Sequence, residues 1–441
     1  MKLRDVLQLV NRKFAKHWAR SAGRSLVVRV ALVGWVAVTW LILSRIRHFA
    51  SANFFVAVYP INVVLAVLLR HRKYPNSVLH VSYMVHVPYY ATRILRHHAG
   101  MKADYLAVGA GSPWWDKCDY HFTPNWPPMP WHEFAFFWKV VARYEVIHCH
   151  FGISLSETGW DLEILRRLGR KIVIHYRGCE VREPERIKAE SPKANMCHAC
   201  DYGGSVCREG KPRVALSRRF GDTFLVTTPD MKDFVPDAIQ FPLFAPELDG
   251  QGRAIERTDG HSHGRTKDDS NGRRSDRRAF KIVHTTNHPG IEGTERIQEA
   301  VGRLRQEGFD IDFVFLRGVP PERVIEETRD ADLAIGKMQM GFYANAQIES
   351  MALGVPTVTY VRPDFMTEAL ERSGFIICSL SNLEETLRFY LSHPEKLAEK
   401  RRIARESILA LHDNERLAHD LVELYTGLKM NRVPARSRVP V

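Results

Sequence analysis

The chain has 441 residues, 45% of them hydrophobic, and a formal net charge of +13, which is long enough for two or three domains with their own cores. Thirteen Lys/Arg and one acid, Asp5, fall within residues 1–74, so that stretch carries +12 and the rest of the chain +1. A nucleic-acid footprint would lie on the folded part, so this distribution excludes nucleic acid as the expected partner.

The opening is basic. Leu26 to Leu43 is apolar apart from Arg29, and Phe49 to Leu69 runs 21 residues without a charge before Arg70-His71-Arg72-Lys73. Each run approaches the ~20 residues needed to cross a bilayer. The basic clusters outside the short link (Arg45, Arg47) put both ends on the cytoplasmic side. Residues 1–74 therefore read as a basic tail and a membrane-associated helical hairpin in contact with lipids, with the remainder cytoplasmic. Pro60 and Asn62 leave a re-entrant or surface-lying hairpin open, and a hairpin packed on the folded part is the other alternative.

From Asn76 strands alternate with helices. SVLHVSYM, MKADYLAVG, EVIHCHFG and KIVIHY read as strands, with HVPYYATRILRHHAG, HEFAFFWKVVARY and DLEILRRLGRK as helices and an aromatic, Pro-rich loop at residues 111–131. That order predicts a parallel, doubly wound sheet. Ligands of such sheets gather beyond the carboxyl ends of the strands, which singles out His150, His175 and the Arg177-Gly178 turn. One histidine there is more often structural; two at neighbouring strand ends point to a site.

Four of the seven cysteines lie between the strands IVIHY and FLVTT. Cys197, Cys200 and Cys207 have knuckle-like spacing, and Cys179 supplies a fourth thiolate, with His198 as a substitute. Structural zinc is the expectation, without a catalytic role because no ligand position is left open. Free thiols and an iron–sulfur cluster are the alternatives, and a cytosolic setting disfavours disulfides. Asp249 to Arg278 has hardly any apolar residue and reads as a flexible linker, with boundaries at 246–279.

Beyond it, KIVHTTNHPGIEGTERIQEAVGRLRQEG is strand, loop and amphipathic helix, and IDFVFLRGVPPERVIEETRDADLAIGK repeats strand, turn, helix, strand. GFYANAQIESMALGVPTVTY, Gly341 to Tyr360, reads as loop, helix, a stop at Gly354 and a buried strand. A helix start behind a small-residue loop offers N–H groups to an anion such as a pyrophosphate. Glu349, inside that helix, is placed to accept hydrogen bonds from ribose hydroxyls; an ordinary βα unit with a solvated Glu is the plainer alternative. Amphipathic helices follow to residue 428, and 429–441 is a basic tail that reads as disordered.

The phrases YEVIHCHFGISL, DLEILRRLGRKIVIHYRGCEVR, TPD-x-x-x-FVP and IESMALGVPTV resemble the retaining GT-B glycosyltransferases of the family-four-like group, over about Asn76 to Tyr425. The resemblance implies an α/β fold of GT-B type, with two Rossmann-like domains facing a cleft. Residues 75–245, with a Cys-rich insert at 179–207, would bind the acceptor. Residues 280–428 would bind the donor nucleotide, and their last helix would cross back to the first domain. It implies a nucleotide-diphosphate sugar as co-substrate and a glycan or lipid-linked acceptor. Glu349 would hold the ribose, and Gly290, Gly293, Thr294, Gly341, Phe342, Tyr343 and Asn345 the diphosphate or sugar. His150 would lie at the transferred sugar, with His175 beside it. Two positions depart from the family pattern: Gly341 replaces the first Glu of an E-x7-E pair, and Glu292 replaces a Lys. His288, kept protonated by a nearby diphosphate, is expected to restore part of the missing positive charge. The rival readings are a membrane-tethered binding or assembly protein of the same fold that lost its chemistry, and a nucleotide-sugar epimerase.

Overall fold

The structure is a computed structural model and describes residues 58–83, 86–109, 117–123, 130–190, 195–247 and 279–427. The apolar run 26–43, most of the linker and the C-terminal tail lie outside these residues.

The first sheet is wholly parallel, in the order β3-β2-β1-β4-β5-β6-β7. Its strands are β1 (Ser77–Ser82), β2 (Lys102–Val108), β3 (Tyr120–Phe122), β4 (Val146–His150), β5 (Lys171–Tyr176), β6 (Thr223–Val226) and β7 (Ile239–Gln240). Covered on both faces by helices, β1 and β4 are buried at every residue, as expected of parallel strands inside an α/β unit. The second sheet, order β12-β11-β10-β8-β9, is also parallel. It contains β8 (Phe280–Thr285), β9 (Ile311–Leu316), β10 (Leu333–Ile335), β11 (Thr357–Thr359) and β12 (Phe375–Ile377).

The helix Asn414–Thr426 returns to the first sheet. Leu417, Ala418, Leu421 and Tyr425 pack with Ile94, Leu95 and Val173 in one buried cluster, and Lys171 Nζ donates to the Leu424 carbonyl. Burial of those apolar side chains, each worth roughly 1.5–3 kcal/mol, ties the second half of the chain to the first.

The cysteine insert carries a helix the periodicity did not predict, Ser205–Phe220, which contains Pro212. Gly210 lets it approach the Glu180 backbone, where an added Cβ would stand 2.7 Å from the Glu180 Cα. Residues 58–69 form a helix docked on the first unit. Its Asn62 carboxamide accepts from Trp138 Nε1 (3.0 Å), and Tyr59 donates to Glu163 (2.8 Å). Its other face leaves Ile61, Val64, Val67 and Leu68 exposed. Among the described residues no helix is long and apolar enough to cross a membrane.

Candidate functional site

Register builds the first unit's part of the site. His80 on β1 pairs with His148 on β4, and His150 pairs with His175 on β5. Side chains two apart on a strand share a face, so these four imidazoles stand on one side of the sheet, all essentially without exposure. They form two hydrogen-bonded rows. In one, Arg177 donates from Nε (3.1 Å) and Nη2 (2.8 Å) to His150 Nδ1, and His150 Nε2 meets His80 Nδ1 at 2.9 Å. Arg177 cannot accept, so His150 carries its proton on Nε2 and His80 carries its own on Nε2. In the other row, Tyr425 Oη meets His148 Nδ1 (2.6 Å), and His148 Nε2 meets His175 Nδ1 (3.2 Å). His175 Nε2 then reaches Thr227 Oγ1 at 3.4 Å.

Burial, reinforced by the Arg177 charge, lowers all four imidazoles below the ordinary range, His80 to about 3. They are neutral, and nitrogens of His80, His148 and His150 lie within 4.8 Å of one another. The rings of His148 and His150 are nevertheless stacked 4.4 Å apart and 5° from parallel. Their in-plane lone pairs run side by side, and a metal needs them to converge. With a guanidinium on His150 as well, the cluster is a hydrogen-bonded floor and does not suit a cation.

In the second unit, the helix Asn345–Ala352 follows the loop Gly341–Ala344. Gly341 has φ +78°, and an added Cβ would lie 3.0 Å from Arg362 Cγ and Cδ. That explains the departure from glutamate there: the backbone is left-handed, and the space is taken by Arg362. Arg362 pairs with Asp364 (2.6 Å) and, across the cleft, with Asp233 (2.8 Å). Phe342 and Tyr343 stack at 4.5 Å, with Tyr343 buried and bonded to His412 (3.1 Å). Asn345 bonds to His86 of the first unit. Glu349, in the second turn, makes no hydrogen bond among the described residues, and burial alone raises its carboxyl to about 7. Tyr90 of the first unit lies near enough to feel its charge.

The loop 286–294 faces the cysteine insert. Asp201 accepts from the Gly290 (3.2 Å) and Ile291 (3.1 Å) amides, and Tyr202 Oη meets the His288 ring at 2.9 Å. An added Cβ on Gly290 would lie 2.0 Å from the Ala199 carbonyl oxygen, so only glycine fits. Gly293 has φ +84°, and Thr294 bonds to His284 (2.8 Å). Glu292 is buried and paired with Lys337 Nζ at 2.6 Å, so it adds no net charge to the loop. Without an anion beside it, burial and the Lys337 charge lower the His288 pKa.

In the insert, the Cys207 thiol bonds to Cys179. That bond, with Arg182 and Lys337 nearby, brings Cys179 down to about 6 and pushes Cys207 up. Cys197 and Cys200 are close enough to act on Cys207 electrostatically. The four sulfurs are not among the described sets of three or more possible ligands within 4.8 Å, so zinc is not supported by the geometry as it stands.

A cavity of about 370 Å³ opens between the two units, lined by Thr227, Thr228, Gln240, Phe342 and Tyr343 among others. It touches the site through Thr227, which accepts from Arg177, and the Phe342–Tyr343 pair. Of the residues singled out by sequence, Asn345 and Glu349 face the first unit, whereas His150 and His175 are sealed beneath Arg177 and Thr227. His80, His86 and His148 were missed. The alternation in VLHVS and VIHCH was a signal, but it gains meaning only from register.

No protein-family model matches the chain, and no curated protein matches it. Solved structures do. Anabaena HepE in complex with UDP-glucose matches at 10% identity, covering 80% of this chain and 99% of that one, with a TM-score of 0.50. Its complex with UDP matches at 10% identity over 80% of this chain and 100% of that one, TM-score 0.50. A glycosyltransferase from Rickettsia africae matches at 12% identity over 82% and 100%, TM-score 0.50. At such identities the likeness speaks for architecture, and with the two parallel sheets it shows that this chain has the GT-B glycosyltransferase fold.

Proposed function

We propose that the protein transfers a sugar from a nucleotide-diphosphate sugar to a glycan or lipid-linked acceptor, with retention at the anomeric carbon. The observation that carries this reading is Glu349, an unpartnered carboxylate on a helix behind a tight loop, facing the first unit. Two ribose hydroxyls would satisfy this partly exposed carboxylate, which has no hydrogen-bond partner among the described residues. In the reaction the acceptor hydroxyl oxygen bonds to the anomeric carbon while the bond from that carbon to the diphosphate oxygen breaks. The hydroxyl proton passes to the departing diphosphate. Positioning and stabilisation of the leaving group do the work. His150 and His175, having no exposed surface, act as positioning residues beneath Arg177. The donor seen in the HepE complex is UDP-glucose, which makes UDP-sugars the first to try.

Membrane attachment through residues 1–74 is part of the proposal, supported by the apolar face of the helix 58–69. So is a soft divalent ion, which would draw Cys179, Cys197, Cys200 and Cys207 together. Metal analysis of the purified chain should find about one zinc, lost in Cys200→Ser; a metal-free, fully folded protein removes that element.

The test of the function is nucleoside diphosphate release by the full chain in lipid vesicles, with a panel of donors and glycolipid acceptors. Release that needs both donor and acceptor is expected. A folded protein that turns over no donor would favour the second reading, a tether that lost its chemistry, for which Asp201 on the Gly290 and Ile291 amides is the specific observation.

A further inference from the structure

We propose that Arg177 is an anion receptor at the floor of the cleft, so that a substrate seated there presents a phosphate or carboxylate to it. The inference rests on the cleft being a substrate site and adds a charge requirement to it.

The guanidinium has five N–H donors. Nε and Nη2 engage His150 Nδ1, and Nη1 engages Thr227 Oγ1 at 3.2 Å, which leaves two donors on the fork. Both partners are uncharged groups. Glu180 acts on this charge from a distance, its Oε1 accepting from the Arg177 backbone amide at 2.5 Å. Among the described residues no carboxylate forms an ion pair with the Arg177 guanidinium. A neutral side chain could hold His150 and Thr227 equally well, so the structural role does not account for the charge. A half-buried guanidinium with spare donors in fixed geometry matches the bidentate recognition of carboxylate or phosphate.

The surroundings suit that role. His80, His86, His148, His150 and His175 all lie within range of this charge and are held neutral, so they neither compete for the anion nor compensate the cation. Thr227 also lines the interdomain cavity, which gives a ligand access. Two sources fit the same chemistry: the donor's diphosphate, or an acidic group on the acceptor.

Inorganic phosphate and UDP, titrated calorimetrically into the full chain in detergent at constant ionic strength, separate these cases. Wild type should bind phosphate saturably. Arg177→Gln should weaken phosphate binding at least tenfold. If UDP affinity also falls tenfold in Arg177→Gln, the anion is the donor's diphosphate; if UDP affinity holds within twofold, it is the acceptor's acid. Should Arg177→Gln not fold, Arg177→Lys keeps the charge without the fork and should bind phosphate about fivefold more weakly. Phosphate affinity equal to wild type in the folded variant, or no saturable phosphate binding by wild type, overturns the proposal. UDP binding by wild type in that event would leave the transferase reading standing.

Discussion

At the carboxyl ends of β1, β4 and β5, four imidazoles, Tyr425, Thr227 and Arg177 are tied into two hydrogen-bonded rows. Across the cleft, Glu349 has no hydrogen-bond partner among the described residues and is held near pH 7 by burial. The first arrangement has its polar groups almost all engaged with one another, so it fixes geometry and tolerates little change. The second leaves the partly exposed Glu349 carboxyl without a hydrogen-bond partner among the described residues. The contrast divides the cleft: a hydrogen-bonded floor on the first unit, and on the second a carboxyl with no protein partner among the described residues.

The largest expected effect would break the floor from beneath. Arg182 and Asp230 form a buried pair at 2.7 Å, with side chains 2% and 6% exposed, at the end of the turn that carries Arg177. Arg182→Ala leaves Asp230 charged and alone, and should cost about 3–5 kcal/mol in denaturant unfolding. A loss under about 1 kcal/mol would mean that the turn is not locked by this pair.

On the donor side, Glu349→Ala should lower transfer about a hundredfold, roughly 2.7 kcal/mol, with the melting temperature unchanged or higher. Unchanged turnover removes Glu349 from the site. The ionised carboxylate is the form that accepts from hydroxyls, so nucleotide affinity should rise about tenfold between pH 6 and pH 8 as a group near 7 loses its proton. Glu349→Gln should abolish that dependence. Stability runs the other way. The folded chain holds this proton more tightly than the unfolded one, so stability should fall as pH rises from about 4.5 to about 7. The variant should lack that slope.

The smallest effect tests the tie between the halves. Tyr425→Phe removes the bond to His148 and should cost about 1 kcal/mol; no change would show that packing alone holds the returning helix.

Much of the architecture was legible because it rests on local pattern. The long strands and the helix carrying Glu349 follow from periodicity, Gly354 and β-branched runs. β3, β7 and β12, of two or three residues each, were not read. The site was legible in fragments. Glu349 could be named because its helix is local. The partnership of His80 with His148 needs strand register, and that of Asp201 with the Gly290 amide needs two elements 89 residues apart.

Calorimetric titration of the full chain with UDP, GDP and ADP, beside Glu349→Gln, tests the central claim most directly. The account predicts that one nucleotide binds selectively and that the variant binds it at least tenfold more weakly. Equal binding by the two proteins, or none by a folded wild type, would contradict it.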